Sequence, residues 1–191
     1  MEFDVDSWRE ELVSYREQKD EQFEVPHSSP LGPEGRKEFD GLDYFEPDPD
    51  YRVETTVELD GSDETVAMET TADGEQLYER TARLHFEVPN ASGEPTEETL
   101  VGYTRVDQDE GSLFVPFRDK TTGQQTYPAG RYIELHYEGE LEDGETFPLD
   151  FNLAYNPFCA YTAAYECPLP PRVNWPQRAM PAGARDDESG R

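Results

Sequence analysis

Apolar and polar positions switch period once along this chain. Near the amino terminus Trp8, Leu12, Tyr15, Lys19 and Phe23 follow helical spacing among polar residues, which predicts one amphipathic helix over 6–24. Ser7 with Glu10 reads as its capping box, Pro26 closes it, and Pro30 and Pro33 keep the next stretch extended or turned. From Tyr51 the period becomes two. Tyr51, Val53, Thr55, Val57 and Leu59 alternate with polar residues, Asp60-Gly61 turns into a strand over 64–71, and Asp73-Gly74 turns again. Tyr78, Ala82, Leu84, Phe86 and Val88 then form the apolar side of a long strand, and 90–95 reads as a loop. Further strands are expected at 99–106, 112–117, 131–137 and 146–153.

The pattern predicts a mainly β protein: an antiparallel barrel, half-barrel or sandwich of seven or eight strands, with a barrel or half-barrel preferred. The expected organisation is one domain over 1–183, with the helix, a β core over 51–154 and a C-terminal wrap over 155–183. That wrap, rich in Pro and Tyr, has no regular period, and long ordered segments of this kind often carry function. Residues 184–191 read as a disordered tail.

Charge changes the picture next. Sixteen Lys and Arg face 44 Asp and Glu, for a formal net charge of -28 over 191 residues. A field of that sign repels nucleic acids and anionic membranes, so neither is expected as a partner. Aromatics at 12% argue against disorder of the whole chain. Lysine is confined to Lys19, Lys37 and Lys120. Acid excess with scarce lysine resembles proteins of halophiles that hold molar salt inside the cell. There the Debye length is about 3 Å and the self-repulsion is screened. Folding should therefore depend on salt: moving the protein from molar to roughly 10 mM salt, where the Debye length is about 30 Å, should lower its melting temperature and reduce its circular dichroism. An unchanged melting temperature would contradict this. No apolar run reaches a membrane span, and Met1–Asp6 lacks the apolar core of a signal peptide, so a cytoplasmic location is expected.

The distribution of acid points to a candidate site. Asp119 is the only acid from Gly111 to Ile133, and Asp150 and Glu166 are the only acids from Thr146 to Ala182. These stretches carry Arg118, Lys120, Arg131, Arg172 and Arg178 instead. One explanation is burial as core and packed wrap. The other is a shared pocket whose arginines attract a small anion. Burial alone leaves the arginines unexplained, because a buried charge needs a partner. Arg131 is in phase with Ile133, Leu135 and Tyr137 and should lean toward their apolar face, with Asp119 or Asp150 as its partner. Asp150 and Asn152 share a face opposite Phe147, Leu149 and Phe151. The expectation is that Arg118 or Arg131 lies close to Asp150 or Asn152, at the edge of one cavity.

The same segments carry a family resemblance. Phe117-Arg118-Asp119, Gly123, Thr126-Tyr127 and Gly130-Arg131-Tyr132 form one block. Asp150-Phe151-Asn152, Ala154-Tyr155-Asn156-Pro157, Cys159-Ala160-Tyr161 and Cys167-Pro168-Leu169-Pro170-Pro171 form a second. With Trp8, Ser29-Pro30-Leu31 and Phe39–Phe45 upstream, the chain resembles domain of unknown function 1684 over nearly its whole length. Asn174 and Ala182-Gly183 continue the family pattern, whereas Ala184 stands where the family usually has Glu. The resemblance implies a shared fold and a shared site, and supplies no activity.

The expected ligand-binding set is Arg118, Asp119, Arg131, Asp150, Asn152, Tyr155, Asn156, Cys159, Tyr161 and Cys167, with a small anion as ligand. Asp119, Asp150 and Cys159 are the catalytic candidates of an alternative, hydrolase-like reading. A structural or interaction module is the third. Cys159 and Cys167 lack paired Cys-x-x-Cys spacing, and the histidines are limited to His27, His85 and His136, so no metal site is expected. A disulfide is disfavoured in a cytoplasm, and both thiols are expected to be reduced there. No phosphate loop, dinucleotide fingerprint, Gly-x-Ser-x-Gly or His-Glu-x-x-His occurs, so no cofactor is assigned.

Overall fold

The computed structural model describes residues 3–107 and 111–186. It is mainly β: strands β1 (Arg52–Leu59), β2 (Thr65–Glu69), β3 (Glu75–Pro89), β4 (Pro95–Arg105), β5 (Ser112–Phe117), β6 (Arg131–His136) and β7 (Thr146–Asp150) form one antiparallel half-barrel sheet. Its order is β6-β5-β4-β3-β1-β7, with β2 beside the first half of β3. Helix α1 (Val5–Glu24) precedes the strands, and a short α2 (Pro33–Glu38) occupies the stretch expected to be extended. Pro33 opens α2 rather than preventing it, because a helix's first residues need no N–H partner. The cap of α1 is Asp4, not Ser7: the Asp4 carboxylate accepts from the Asp6 and Ser7 amides.

Alternation decides what each face of the sheet buries. One face holds the main core: Val57, Ala82, Leu84, Phe86, Leu100, Leu113, Val115, Ile133, Leu135 and Leu149. Their neighbours Val101 and Tyr103 belong to a second, aromatic cluster with Met68, Tyr78 and Phe114. Tyr78 does not join Ala82 and Leu84 as its spacing suggests. The register slips between Arg80 and Ala82, and the extra residue turns Tyr78 to the opposite face.

Among the described residues, β4 and β5 pair only at Tyr103 and Phe114. Where their ladder stops, the buried Asn174 side chain takes its place. It accepts from Val101 N at 2.7 Å and donates to Val101 O and Pro116 O, both at 2.8 Å. The C-terminal segment is thus stitched into the sheet, and it adds Phe151, Ala154, Met180 and Ala182 to the main core. Gly183, at φ +78°, completes its bend; a Cβ there would meet Phe151 O at 2.6 Å and Ala154 O at 2.7 Å. The segment stays ordered past the expected start of a tail. Ala184 is buried and bridged to Tyr44, and the Arg185 and Asp186 amides bond Asp43 O and Gln125 O. Residues 187–191 lie outside the described ones.

Helix α1 buries Trp8, Leu12 and Phe23. Phe23 stacks on Phe39 at 5.5 Å and meets Tyr161 edge-on at 4.9 Å. With Arg52 and Asp150, Trp8 and Tyr15 line a hollow of about 380 Å³ that also touches Glu134 and His136 of β6 and Pro148 of β7. The helix therefore faces both edge strands of the half-barrel.

Candidate functional site

The expected site residues separate into three groups. The first is a buried clamp. Arg131 has no solvent exposure, and its guanidinium donates to the carbonyls of Met180 (2.9 Å), Ala184 (3.1 Å) and Ala182. Its carboxylate partner is Asp119, at 3.6 Å. Burial pulls the guanidinium down to about 10, against the opposing pull of Asp119. Asp119 is itself engaged: its carboxylate takes the hydroxyls of Thr121 (2.7 Å) and Thr122 (3.1 Å) and the Met180 amide. Arg118 lies over the Trp175 ring, 4.5 Å from its centroid. These side chains fasten 174–184 to the sheet.

The second group ties the amino-terminal region. Strand β7 stops at Asp150, and Phe151–Leu153 form a 3₁₀ turn that Asp150 caps. Asp150 and Asn152 therefore do not alternate along one strand, as the sequence pattern suggested. Asp150 accepts from Trp8 Nε1 at 2.7 Å, with Arg52 at 3.9 Å, while Asn152 bonds both backbone groups of Asp48. Of the two carboxylates that could partner Arg131, Asp119 and Asp150, Asp119 forms the ion pair.

The third group borders a cavity of about 330 Å³. Its floor is one face of β3–β6: Tyr78, Tyr103, Arg105, Phe114, Tyr132 and Glu134. Cross-strand pairing aligns them, since Tyr78 faces Arg105, Tyr103 faces Phe114 and Phe114 faces Glu134. The wall comes from the C-terminal segment: Tyr155, Pro157, Phe158, Tyr165, Glu166, Cys167 and Pro168. The rings brace one another, with Tyr78 stacked on Phe114 at 5.3 Å, Phe114 edge-on to Tyr132 at 4.7 Å, and Tyr132 edge-on to Tyr155 at 5.8 Å. The Tyr132 hydroxyl donates to Pro168 O, and that of Tyr155 to Glu134 at 3.1 Å. Burial pushes the Tyr103 phenol up to about 12 and raises Tyr132 and Tyr155 as well, so all three are neutral at physiological pH.

Of the expected residues, only Tyr155 and Cys167 line this cavity. Asn156 turns to Arg185 O and the Tyr161 hydroxyl. Cys159 is half-buried and lies beside Cys167, and the Tyr127 hydroxyl donates to its sulfur at 3.7 Å. Tyr78, Tyr103, Phe114 and Tyr132 were not anticipated as site residues. Their signal was their position beside core-facing neighbours, readable once the strand register is known. Among the described residues, no three His, Cys, Asp or Glu side chains cluster to hold a metal, and no helix is long and apolar enough to cross a membrane.

The fold and site define a class: a mainly β half-barrel with one amino-terminal helix, whose C-terminal segment covers an aromatic cavity. The model of the family described as Protein of unknown function (DUF1684) matches residues 37–185, and the chain belongs to that family. Its fold is similar to the solution NMR structure of an uncharacterized protein from Haloarcula marismortui, with a TM-score of 0.74, 46% identity, and coverage of 98% of this chain and 99% of that one. The relative comes from a halophile, in keeping with the acidic composition. No curated protein matches the chain.

Proposed function

We propose that this protein binds a small planar organic molecule in the tyrosine-lined cavity, and that the ligand is neutral or cationic rather than anionic. The observation carrying this reading is the cavity, which is of ligand size and has aromatic rings on both floor and wall. The arginines that suggested an anion are occupied elsewhere, Arg131 with three carbonyls and Asp119, and Arg118 with Trp175. Of the charged side chains lining the cavity, Glu134 and Glu166 oppose a single cation, Arg105, which pairs with Asp107 at 2.7 Å. Ring faces add negative potential, which favours a cation over them.

Three probes with one ring and different charge test this in molar KCl: indole, tryptamine and indole-3-acetate. Calorimetric titration should give tryptamine or indole an affinity at least about tenfold tighter than indole-3-acetate, a difference of about 1.4 kcal/mol. Tightest binding of indole-3-acetate would restore the anionic ligand. No binding of any probe at roughly millimolar concentration would contradict the cavity as a site. A second reading, a thiol enzyme, is supported by Cys159 alone: Asp119 and Asp150 are each spent on structural hydrogen bonds, whereas the Cys159 sulfur is half-exposed and hydrogen-bonded by a hydroxyl.

A further inference from the structure

Two thiols eight residues apart meet at the cavity wall, which Cys167 lines. Cys167 is held by the sheet: Thr71 N donates to Cys167 O at 3.0 Å, Cys167 N donates to the Thr71 hydroxyl at 3.2 Å, and the next residue, Pro168, is bridged to Thr70. Cys159 sits in the short 3₁₀ turn Phe158–Ala160. Between them residues 163–166 are exposed. The two thiols adjoin each other, and the Cys159 sulfur accepts the Tyr127 hydroxyl at 3.7 Å. A sulfur that accepts a hydroxyl beside a second thiol is arranged for the role of a thiolate.

We propose that Cys159 and Cys167 form a reversible dithiol–disulfide site, with Cys159 the attacking sulfur and Cys167 the resolving one. The site does not depend on the ligand of the cavity. The oxidant is a peroxide. The Cys159 thiolate attacks one peroxide oxygen, so that an S–O bond forms, the O–O bond breaks, and the departing hydroxide takes up a proton as water. The Cys167 sulfur then attacks the Cys159 sulfenic acid. The S–S bond forms, the S–O bond breaks, and the hydroxide that leaves takes the proton released by the Cys167 thiol. Two thiols and one hydrogen peroxide yield one disulfide and two waters, the sulfurs giving up two electrons. A dithiol reductant restores the pair through a mixed disulfide.

Electrostatics agree with this division of labour. The Cys167 hydrogen bond first, then Tyr127 and Thr71, pull the Cys159 thiol down to about 6 against the effect of burial. Cys167, donating to it and buried, is pushed up. The Cys159 sulfur faces the Tyr127 hydroxyl and two groups that burial keeps neutral, Cys167 and Tyr132. The Glu166 carboxylate turns away to the Thr70 hydroxyl. Because Phe158, Tyr165 and Cys167 line the cavity, closing the 159–167 loop would also fix part of its wall.

The test uses the full reduced chain in molar KCl with hydrogen peroxide at equal concentration, quenched with iodoacetamide and read by intact mass. The expected product is a monomer two mass units lighter that carries no alkylation and regains two alkylation sites after reduction. In the absence of peroxide, the rate of Cys159 alkylation should rise with pH to a midpoint near 6. Cys167→Ser should stop at a Cys159 sulfenic acid trapped by dimedone, and Cys159→Ser should leave Cys167 unmodified. An alkylation midpoint above roughly pH 8, where an ordinary thiol titrates, would overturn the proposal. So would a disulfide found only between chains, or two free thiols after peroxide treatment. The wild-type measurements decide the matter even where a variant fails to fold.

Discussion

Replacing Arg131 by Met should destabilise the protein by about 3–5 kcal/mol, the range for removing one partner of a buried ion pair. Met keeps much of the bulk, so the loss is not mainly a cavity effect. What changes is polar. The Asp119 carboxylate stays buried without its cation, and the carbonyls of Ala182 and Ala184 lose their donor, while that of Met180 keeps the Ala182 amide at 2.8 Å. Each buried carbonyl left without a partner costs about 1–3 kcal/mol. A domain of this size has only about 5–15 kcal/mol in all, so the variant should stand near its unfolding limit at ordinary temperature. Asp119→Asn added to Arg131→Met removes the stranded charge. The double variant should therefore lose less than the sum of the two single losses, measured by denaturant unfolding in molar KCl. A loss below about 1 kcal/mol for Arg131→Met would mean that the guanidinium is a ligand group rather than a structural one.

The second large effect belongs to Asn174. Substitution by Leu preserves approximate volume and removes three hydrogen bonds to the sheet, leaving Val101 N–H, Val101 C=O and Pro116 C=O without partners. At about 1–3 kcal/mol each, the expected cost is at least about 3 kcal/mol. The injury should be local as well as global, because among the described residues β4 and β5 share one backbone pair, Tyr103–Phe114. Amide exchange at Val101 should accelerate more than exchange at Leu84 on β3, which keeps its pairing with β1 and β4. Asn174→Asp retains size and the acceptor for Val101 N–H but turns a buried carboxylate oxygen toward the carbonyls of Val101 and Pro116, and should cost at least as much. Equal exchange at the two amides would show that Asn174 fills space without joining the strands.

Much of this architecture could be read from period alone. The i, i+3/i+4 stripe of Trp8, Leu12 and Tyr15 placed α1 within one residue, and apolar patterning with turn signals placed a strand near each of the seven observed. Where it erred, a specific competing interaction prevailed. Asp4 caps α1 because it too can reach the first free amides, so two residue types qualified for one position. β7 ends at Asp150 because its carboxylate takes the Asn152 amide and starts a 3₁₀ turn, which breaks the expected alternation of Asp150 and Asn152. Tyr78 looked like core by phase, and one extra residue at the bulge moved it to the other face.

The candidate site was legible only in part, for a related reason. The scarcity of acid near Arg118, Arg131 and Asp150 coincides with the burial of Asp119, Arg131, Asp150 and Asn152, although 123–125 and 163–166 in the same stretches are exposed. Scarcity of charge does not separate a clamp from a pocket, however, because both exclude water. Arg131 was rightly assigned to an apolar face and to a carboxylate, yet its remaining donors meet carbonyls rather than a ligand. Tyr103, Phe114 and Tyr132 come from three strands and become neighbours only through register. Each occupies a position that single-strand patterning treats as the side opposite the core, so no local signal singled it out.

The measurement closest to the central claim is where a ring probe contacts the chain. With tryptamine bound in molar KCl, proton–proton Overhauser contacts should run from its indole ring to the rings of Tyr78, Tyr103, Phe114 and Tyr132, and they should vanish in a Phe114→Ala variant that remains folded. Contacts that run instead to Arg118 and Asn152, with those four rings unperturbed, would contradict the account.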